Sequence, residues 1–227
     1  MSSHAQQTVT TDVLSSLPLL RAVANNPLGG ARVNIYRPSK TMSFSRRESS
    51  LPGFLDAVSE AVAFGFDPVI RPAGGRAVAL DPQWFVIDII TPEPVRGDNQ
   101  EVFRRHGDEF VTLLRSWGVD ATLGGVEGEY CPGDYSVNAR GKVKLVGTAQ
   151  RVIRGARLFS ASVPITISED VAELLDRVNN LLELEWKPAT LGCLQQEVPG
   201  ISLDVIHTGL VDTFAGYAAA TSEKKET

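Results

Sequence analysis

Residues 84–90 read WFVIDII, a seven-residue run of mostly aromatic and β-branched side chains. A run this short, bounded by turn-forming residues, reads as a buried strand rather than a buried helix. Three more strands occur farther along with no helical segment among them. Residues 142–149 form a predicted hairpin with 135–137 around a turn at 138–141, and residues 158–167 (LFSASVPITI) form the next strand, where Pro164 points to an edge or a bulge. Successive hairpin strands exclude regular βαβ winding. They predict an α+β domain with helices unevenly interspersed. Shorter strands are predicted at 32–36 and 67–70.

The helices carry clear start and stop signals. A helix over 12–26 ends at Asn-Pro and Gly-Gly, and another covers 54–64. Asp98 and Glu101 form a capping-box pattern that opens a long helix, and Gly118 ends it. Ser168 caps a helix bearing Val171, Leu174, Leu175 and Val178 at helical spacing, and Ser202 caps a last one through Tyr217. We expect one domain over residues 12–219, with disordered polar tails at 1–11 and 220–227.

A net charge of −5 argues against a general nucleic-acid binder, and no apolar run is long enough to span a bilayer. The first twenty residues lack a leader pattern, so a cytoplasmic location is expected. There, Cys131 and Cys193, too far apart for a CxxC pair, are expected to be free thiols. His4, His106 and His207 are scattered, and no zinc-binding spacing links them.

Two stretches are candidates for chemistry. In RPAGGRAVAL, Gly74 and Gly75 allow close backbone approach to a ligand, and Arg71 and Arg76 suit a carboxylate or a phosphate. A plain turn explains the same residues. In EYCPGDY, Cys131 precedes a turn amid polar residues, and a nearby ammonium would favour its nucleophilic thiolate. Strand alternation from 142 onward predicts that Lys142, Lys144, Val146, Thr148 and Gln150 share a face. A structural thiol beside a solvated strand face explains the same residues. Arg140, Lys142, Lys144, Arg151, Arg154 and Arg157 form a basic ribbon, either a docking surface for an acidic partner or simply an exposed strand.

VIRPAGGRAVALD (69–81) and GKVKLVGTAQRVIRG (141–155), with IYRPSKTMSFSR (35–46) before them, resemble the lipoate–protein ligase and octanoyltransferase family. The likeness runs from about residue 12 to 185. EYCPGDY is most similar to the branch that moves octanoyl groups between carrier proteins. The resemblance implies a biotin/lipoate ligase core, like that of class II synthetases: a mixed, largely antiparallel sheet flanked by helices. It implies that Cys131 takes the acyl chain as a thioester, and that Lys144 positions the acyl carbonyl, with Lys142 as the alternative. It places Gly74 and Gly75 along an acyl tunnel, with Arg71, Arg76, Gly147 and Gln150 in the substrate-binding set. Leu80-Asp81 stands where many relatives carry His-Asp.

The expected partners are octanoylated or lipoylated carriers: the glycine-cleavage carrier protein, dehydrogenase E2 lipoyl domains, or acyl carrier protein. A transferase needs no cofactor and no metal. Two alternatives remain at this point, an ATP- and Mg2+-dependent lipoate ligase and a carrier-binding scaffold without chemistry.

Overall fold

The computed structural model describes residues 12–93 and 98–219, so the expected tails lie outside the described residues. In chain order the elements are α1 (Ser16–Asn25), β1 (Arg32–Tyr36), β2 (Thr41–Phe44), α2 (Phe54–Ala63), β3 (Asp67–Ile70), β4 (Val78–Leu80) and β5 (Trp84–Pro92). Then come α3 (Asn99–Ser116), β6 (Ala121–Leu123), β7 (Val137–Ala139), β8 (Val143–Ile153) and β9 (Ala156–Pro164). The chain closes with α4 (Glu169–Leu181), α5 (Leu194–Glu197), α6 (Leu203–Phe214) and α7 (Gly216–Ala219).

Six strands form one antiparallel sheet in the order β1-β5-β9-β8-β7-β6. A second sheet, β3-β2-β4, mixes one parallel and one antiparallel pair. This is the expected mixed, largely antiparallel arrangement. Pro164 marks neither an edge nor a bulge: β9 lies inside the large sheet, and Pro164 is its last residue, opposite Trp84. A proline at a strand terminus interrupts no further ladder bond.

The apolar run in β5 follows from burial on both faces. Phe85, Ile87 and Ile89 pack toward α3 and α6, on Phe110, Leu114, Leu210 and Phe214. Trp84 and Val86 face the small sheet and α4, on Met42, Phe44, Leu174 and Val178, while Ile90 meets α1 at Leu20 and Val23. Asp98 caps α3 by accepting from the Gln100 N–H, and Ser168 and Ser202 cap α4 and α6 in the same way.

One polar residue interrupts this run. Asp88 is 1% exposed. Burial raises its carboxyl to about 7, and the Ser160 and Tyr36 hydroxyls pull it partly back. The groups facing it are Tyr36 on β1 and Ser160 on β9, and the Asp12 charge ahead of α1 also acts on Tyr36. A carboxyl raised on folding contributes stability that is full below about pH 4 and lost as pH rises through about 7. Urea unfolding should therefore show Asp88→Asn flattening the stability profile between pH 4 and 8 by on the order of 2–4 kcal/mol. A profile identical to wild type would refute this.

Candidate active site

The connection between β3 and β4 carries the paired glycines. Its shape is held from inside by two side chains. Arg71 donates Nη1–H to the Ser43 carbonyl at 2.5 Å, and Nη2–H to the carbonyls of Gly74 at 2.8 Å and Arg76 at 2.7 Å. Burial draws the Arg71 guanidinium below its ordinary value, and the charges of Cys131 and Glu48 oppose the drop. Glu48, 3% exposed, accepts from the Ala77 N–H at 2.6 Å and from the Ser45 N–H and hydroxyl at 2.8 and 2.9 Å.

Held this way, the loop aims the Arg76 N–H at Cys131 Sγ, 3.1 Å away. Gly75 has φ of +94°, and a Cβ there would stand 2.9 Å from Arg71 Nη2 and 3.1 Å from Cys131 Sγ. Gly75→Ala combines backbone strain with displacement of the thiol. It should slow iodoacetamide labelling of Cys131 by roughly tenfold or more; unchanged labelling would contradict the packing argument.

Behind the cysteine is a buried ion pair. Lys144, 3% exposed, donates Nζ–H to the Cys131 carbonyl at 2.7 Å and to Glu129 Oε1 at 3.3 Å. Glu129 is fully buried and also accepts from the N–H groups of Val126 and Gly133 and from the Ser136 hydroxyl. The Tyr130 ring lies 4.9 Å from Lys144 Nζ. Burial, with the charges of Cys131 and Glu129, raises the Tyr130 phenol, so it stays a neutral hydroxyl.

Lys144 reaches this position through a β-bulge. Val137 pairs with Val146 but Asn138 pairs with Lys144, so Leu145 is an extra residue on β8. Leu145 and Val146 both enter the core on the α3 side. Beyond the bulge Gly147 lies on the Lys144 face, where a Cβ would be 3.2 Å from Lys144 Cε and 3.3 Å from Tyr130 Oη.

An open cleft of about 840 Å³ passes over Cys131 between Leu14 and Leu17 on one side and Leu51 and Ile70 on the other. A narrow slot of about 70 Å³ continues beneath it, lined by Val78, Leu80, Val86, Tyr130, Gly147 and Ala149 among others. Cys131, Ala73 and Gly74 border both cavities.

The family model for the lipoyl protein ligase A/B catalytic domain matches residues 36–201. The chain belongs to this family. Over 130 residues it is 32% identical to the octanoyl-GcvH:protein N-octanoyltransferase of Exiguobacterium sibiricum, covering 56% of this chain and 46% of that one. Over 152 residues it is 30% identical to the lipoyl-GcvH:protein N-lipoyltransferase of Listeria monocytogenes, covering 65% and 52%. The chain thus spans about half the length of the curated relatives it matches.

Among solved structures, lipoate-protein ligase A bound with ATP superposes with TM-score 0.72 at 20% identity, over 96% of this chain and 85% of that one. A bi-partite lipoate protein ligase from Thermoplasma acidophilum gives 0.67 at 17% identity, over 93% and 81%. At these identities the likeness shows the fold.

On this lipoyl-ligase scaffold, Gly74, Gly75, Arg71, Arg76, Cys131, Lys144 and Gly147 converge at the cleft and slot. Lys142 does not. It is exposed in the turn before β8, which leaves Lys144 as the lysine behind Cys131. Gln150 does not either: the bulge reverses the alternation, and its side chain bonds the Asn99 carbonyl and Arg157 on the α3 side. The shared face expected for residues 142 to 150 is therefore corrected.

The basic ribbon holds at four of its six residues, since Arg140, Lys142, Arg151 and Arg154 are exposed; it fails at Lys144, which is buried, and at Arg157, which is 2% exposed and paired with Glu93. Arg151 of the ribbon joins Arg21, Arg46 and Arg47 at the cleft, where all four are exposed and, among the described residues, join no ion pair. Glu48 and Glu129 were missed from sequence because a glutamate among charged or small residues reads as solvated; the fold alone reveals what each accepts. No cluster of metal-ligating side chains occurs among the described residues.

Proposed function

We propose that this chain is a cysteine-dependent acyltransferase that moves octanoyl or lipoyl groups between lipoyl-type carrier domains. The observation that carries the proposal is the position of Cys131. Its sulfur stands where cleft meets slot, with the Arg76 N–H at 3.1 Å, and Lys144 holds its carbonyl from behind at 2.7 Å. An acyl chain lying in the slot presents its carbonyl carbon to Sγ.

Sulfur attacks that carbon and the C–N bond to the donor lysine breaks. The thiol proton leaves with the departing amine, and a thioester remains on Cys131. The ε-amine of a second carrier's lysine then attacks the thioester carbon. The C–S bond breaks, and the proton lost by the amine returns to sulfur. An amide is a poor electrophile, so the tetrahedral oxyanion needs stabilisation, a role we assign to the buried Lys144 ammonium, which bonds the Cys131 carbonyl.

The scheme uses neither metal nor nucleotide. It suits the cytoplasm, where the thiol stays reduced; no helix among the described residues is long and apolar enough to cross a membrane. GcvH appears in the names of both curated relatives, and we extend that donor class, the glycine-cleavage carrier, to this chain. Dehydrogenase E2 lipoyl domains are the proposed acceptors. The exposed arginines of the cleft favour an acidic carrier surface, so Arg46→Glu with Arg47→Glu should weaken carrier capture several-fold, and rising salt should do the same.

The test is incubation with an octanoylated carrier without ATP, read by intact mass. An octanoyl adduct released by hydroxylamine is expected. Transfer that requires ATP and leaves no adduct would replace the transferase by a ligase, and carrier binding without either would leave a scaffold.

A further inference from the structure

Gly147 has no backbone reason to be glycine. It sits within β8 opposite Ser162, and its φ lies outside the left-handed region. Its missing side chain instead leaves a recess in the wall of the slot. A Cβ there would stand 3.2 Å from Lys144 Cε and 3.3 Å from both Ser162 Oγ and Tyr130 Oη. The side chains of Lys144, Ser162 and Tyr130 thus converge on one point.

All three have hydrogen bonds to give. Tyr130 is 3% exposed, and among the described residues neither its hydroxyl nor that of Ser162 bonds to protein. Burial keeps the Tyr130 phenol protonated, so it meets the recess as a donor. An ammonium has three N–H bonds, and the Cys131 carbonyl and Glu129 take two of those on Lys144. An alkyl carbon placed in the recess would leave these donors unmatched, which is unfavourable where they are buried. A point 3.3 Å from two hydroxyls is within a few tenths of an ångström of hydrogen-bond range for an oxygen.

The recess also belongs to the reacting centre. Cys131, Tyr130, Lys144, Gly147 and Ser162 border the same slot of about 70 Å³. Lys144 Cε flanks the recess, and the next atom, Nζ, bonds the Cys131 carbonyl at 2.7 Å. When Sγ attacks an acyl carbon, the C=O π pair moves onto oxygen. That pair returns as the leaving group departs, so donors aimed at the oxygen act where the charge develops.

We propose that the recess over Gly147 receives the acyl carbonyl oxygen, and that the Tyr130 and Ser162 hydroxyls join Lys144 in stabilising the oxyanion. The inference rests on the acyltransferase reading and adds two catalytic residues to it.

The test compares two reactions of Cys131 in the full chain, both read by intact mass. Acylation by the octanoyl thioester of N-acetylcysteamine passes through an oxyanion and releases the free thiol. Alkylation by iodoacetamide displaces iodide and develops no charge on oxygen. Tyr130→Phe and Ser162→Ala should each lower acylation about a hundredfold while alkylation stays within about twofold of wild type. Gly147→Ala, which fills the recess, should lower acylation at least as far, and it decides the matter if a hydroxyl variant does not fold. Acylation unchanged in any folded variant, as expected of a recess that holds only water, would overturn the inference. So would acylation and alkylation falling together, which marks a displaced thiol.

If neither this thioester nor an octanoylated carrier acylates wild type, the acyltransferase reading fails. Calorimetric titration with octanoate then tests the recess separately. Binding weakened about tenfold by Tyr130→Phe supports the oxygen site, and equal binding, or no binding to either protein, overturns it.

Discussion

Cys131→Ser is expected to eliminate the covalent acyl adduct and to lower octanoyl transfer by at least about a thousandfold. Serine fits the same space, and Cys131 is only half-buried, so the fold should survive. What is lost is nucleophilicity. A thiol ionises near neutrality, whereas a hydroxyl attacks an amide only when a base removes its proton. Among the described residues, no histidine is placed to act as that base. His106 is packed against Phe159 and bonded to Glu109, and His207 lies beside Phe85, both on the α3–α6 side of the large sheet. Intact mass and a carrier gel-shift assay would read the outcome. A serine variant that still transfers octanoyl groups at a tenth of the wild-type rate would end the thioester mechanism.

The second large effect belongs to Lys144→Met. Removing the ammonium leaves Glu129 buried with one partner missing, and breaking a buried pair in this way costs about 3–5 kcal/mol. The three remaining donors to Glu129 soften that loss toward the lower figure. Stability alone would make inactivity ambiguous. The double variant Lys144→Met with Glu129→Gln separates the two effects, because a neutral amide no longer demands a counter-charge. Urea unfolding should show most of the stability restored, while transfer stays roughly a hundredfold or more below wild type. Activity that returns with stability would reduce Lys144 to a structural partner of Glu129.

What the sequence makes legible divides along a physical line. Local rules find local features: the caps at Asp98, Ser168 and Ser202 are short-range hydrogen bonds written in neighbouring residues. The α+β class follows from hairpin spacing, and residues 69–81 and 141–155 carry the family signature that residues 36–201 bear out. Pairing-dependent features are hidden. Leu145 becomes an extra residue only because of how β7 meets β8, and that one residue decides that Gln150 faces α3 while Gly147 faces the slot. Arg157 reads as surface charge until Glu93, Asn99 and Gln150 are found around it. Asp88 is likewise lost to a reader of WFVIDII, who sees the strand and not the Tyr36 and Ser160 hydroxyls that act on its carboxyl from β1 and β9.

Glu48 never touches the sulfur, yet it limits what can be transplanted. The N–H facing Cys131 belongs to a loop whose course is set by Arg71 from one side and Glu48 from the other. Installing a cysteine at the matching place in a scaffold without these braces would therefore import the atom without its donor. A working graft would comprise Glu48, Arg71, the two glycines and Cys131 together, five positions drawn from three separate stretches of chain. On the thioester reading, reactivity would belong to a loop and its two braces rather than to residue 131 by itself.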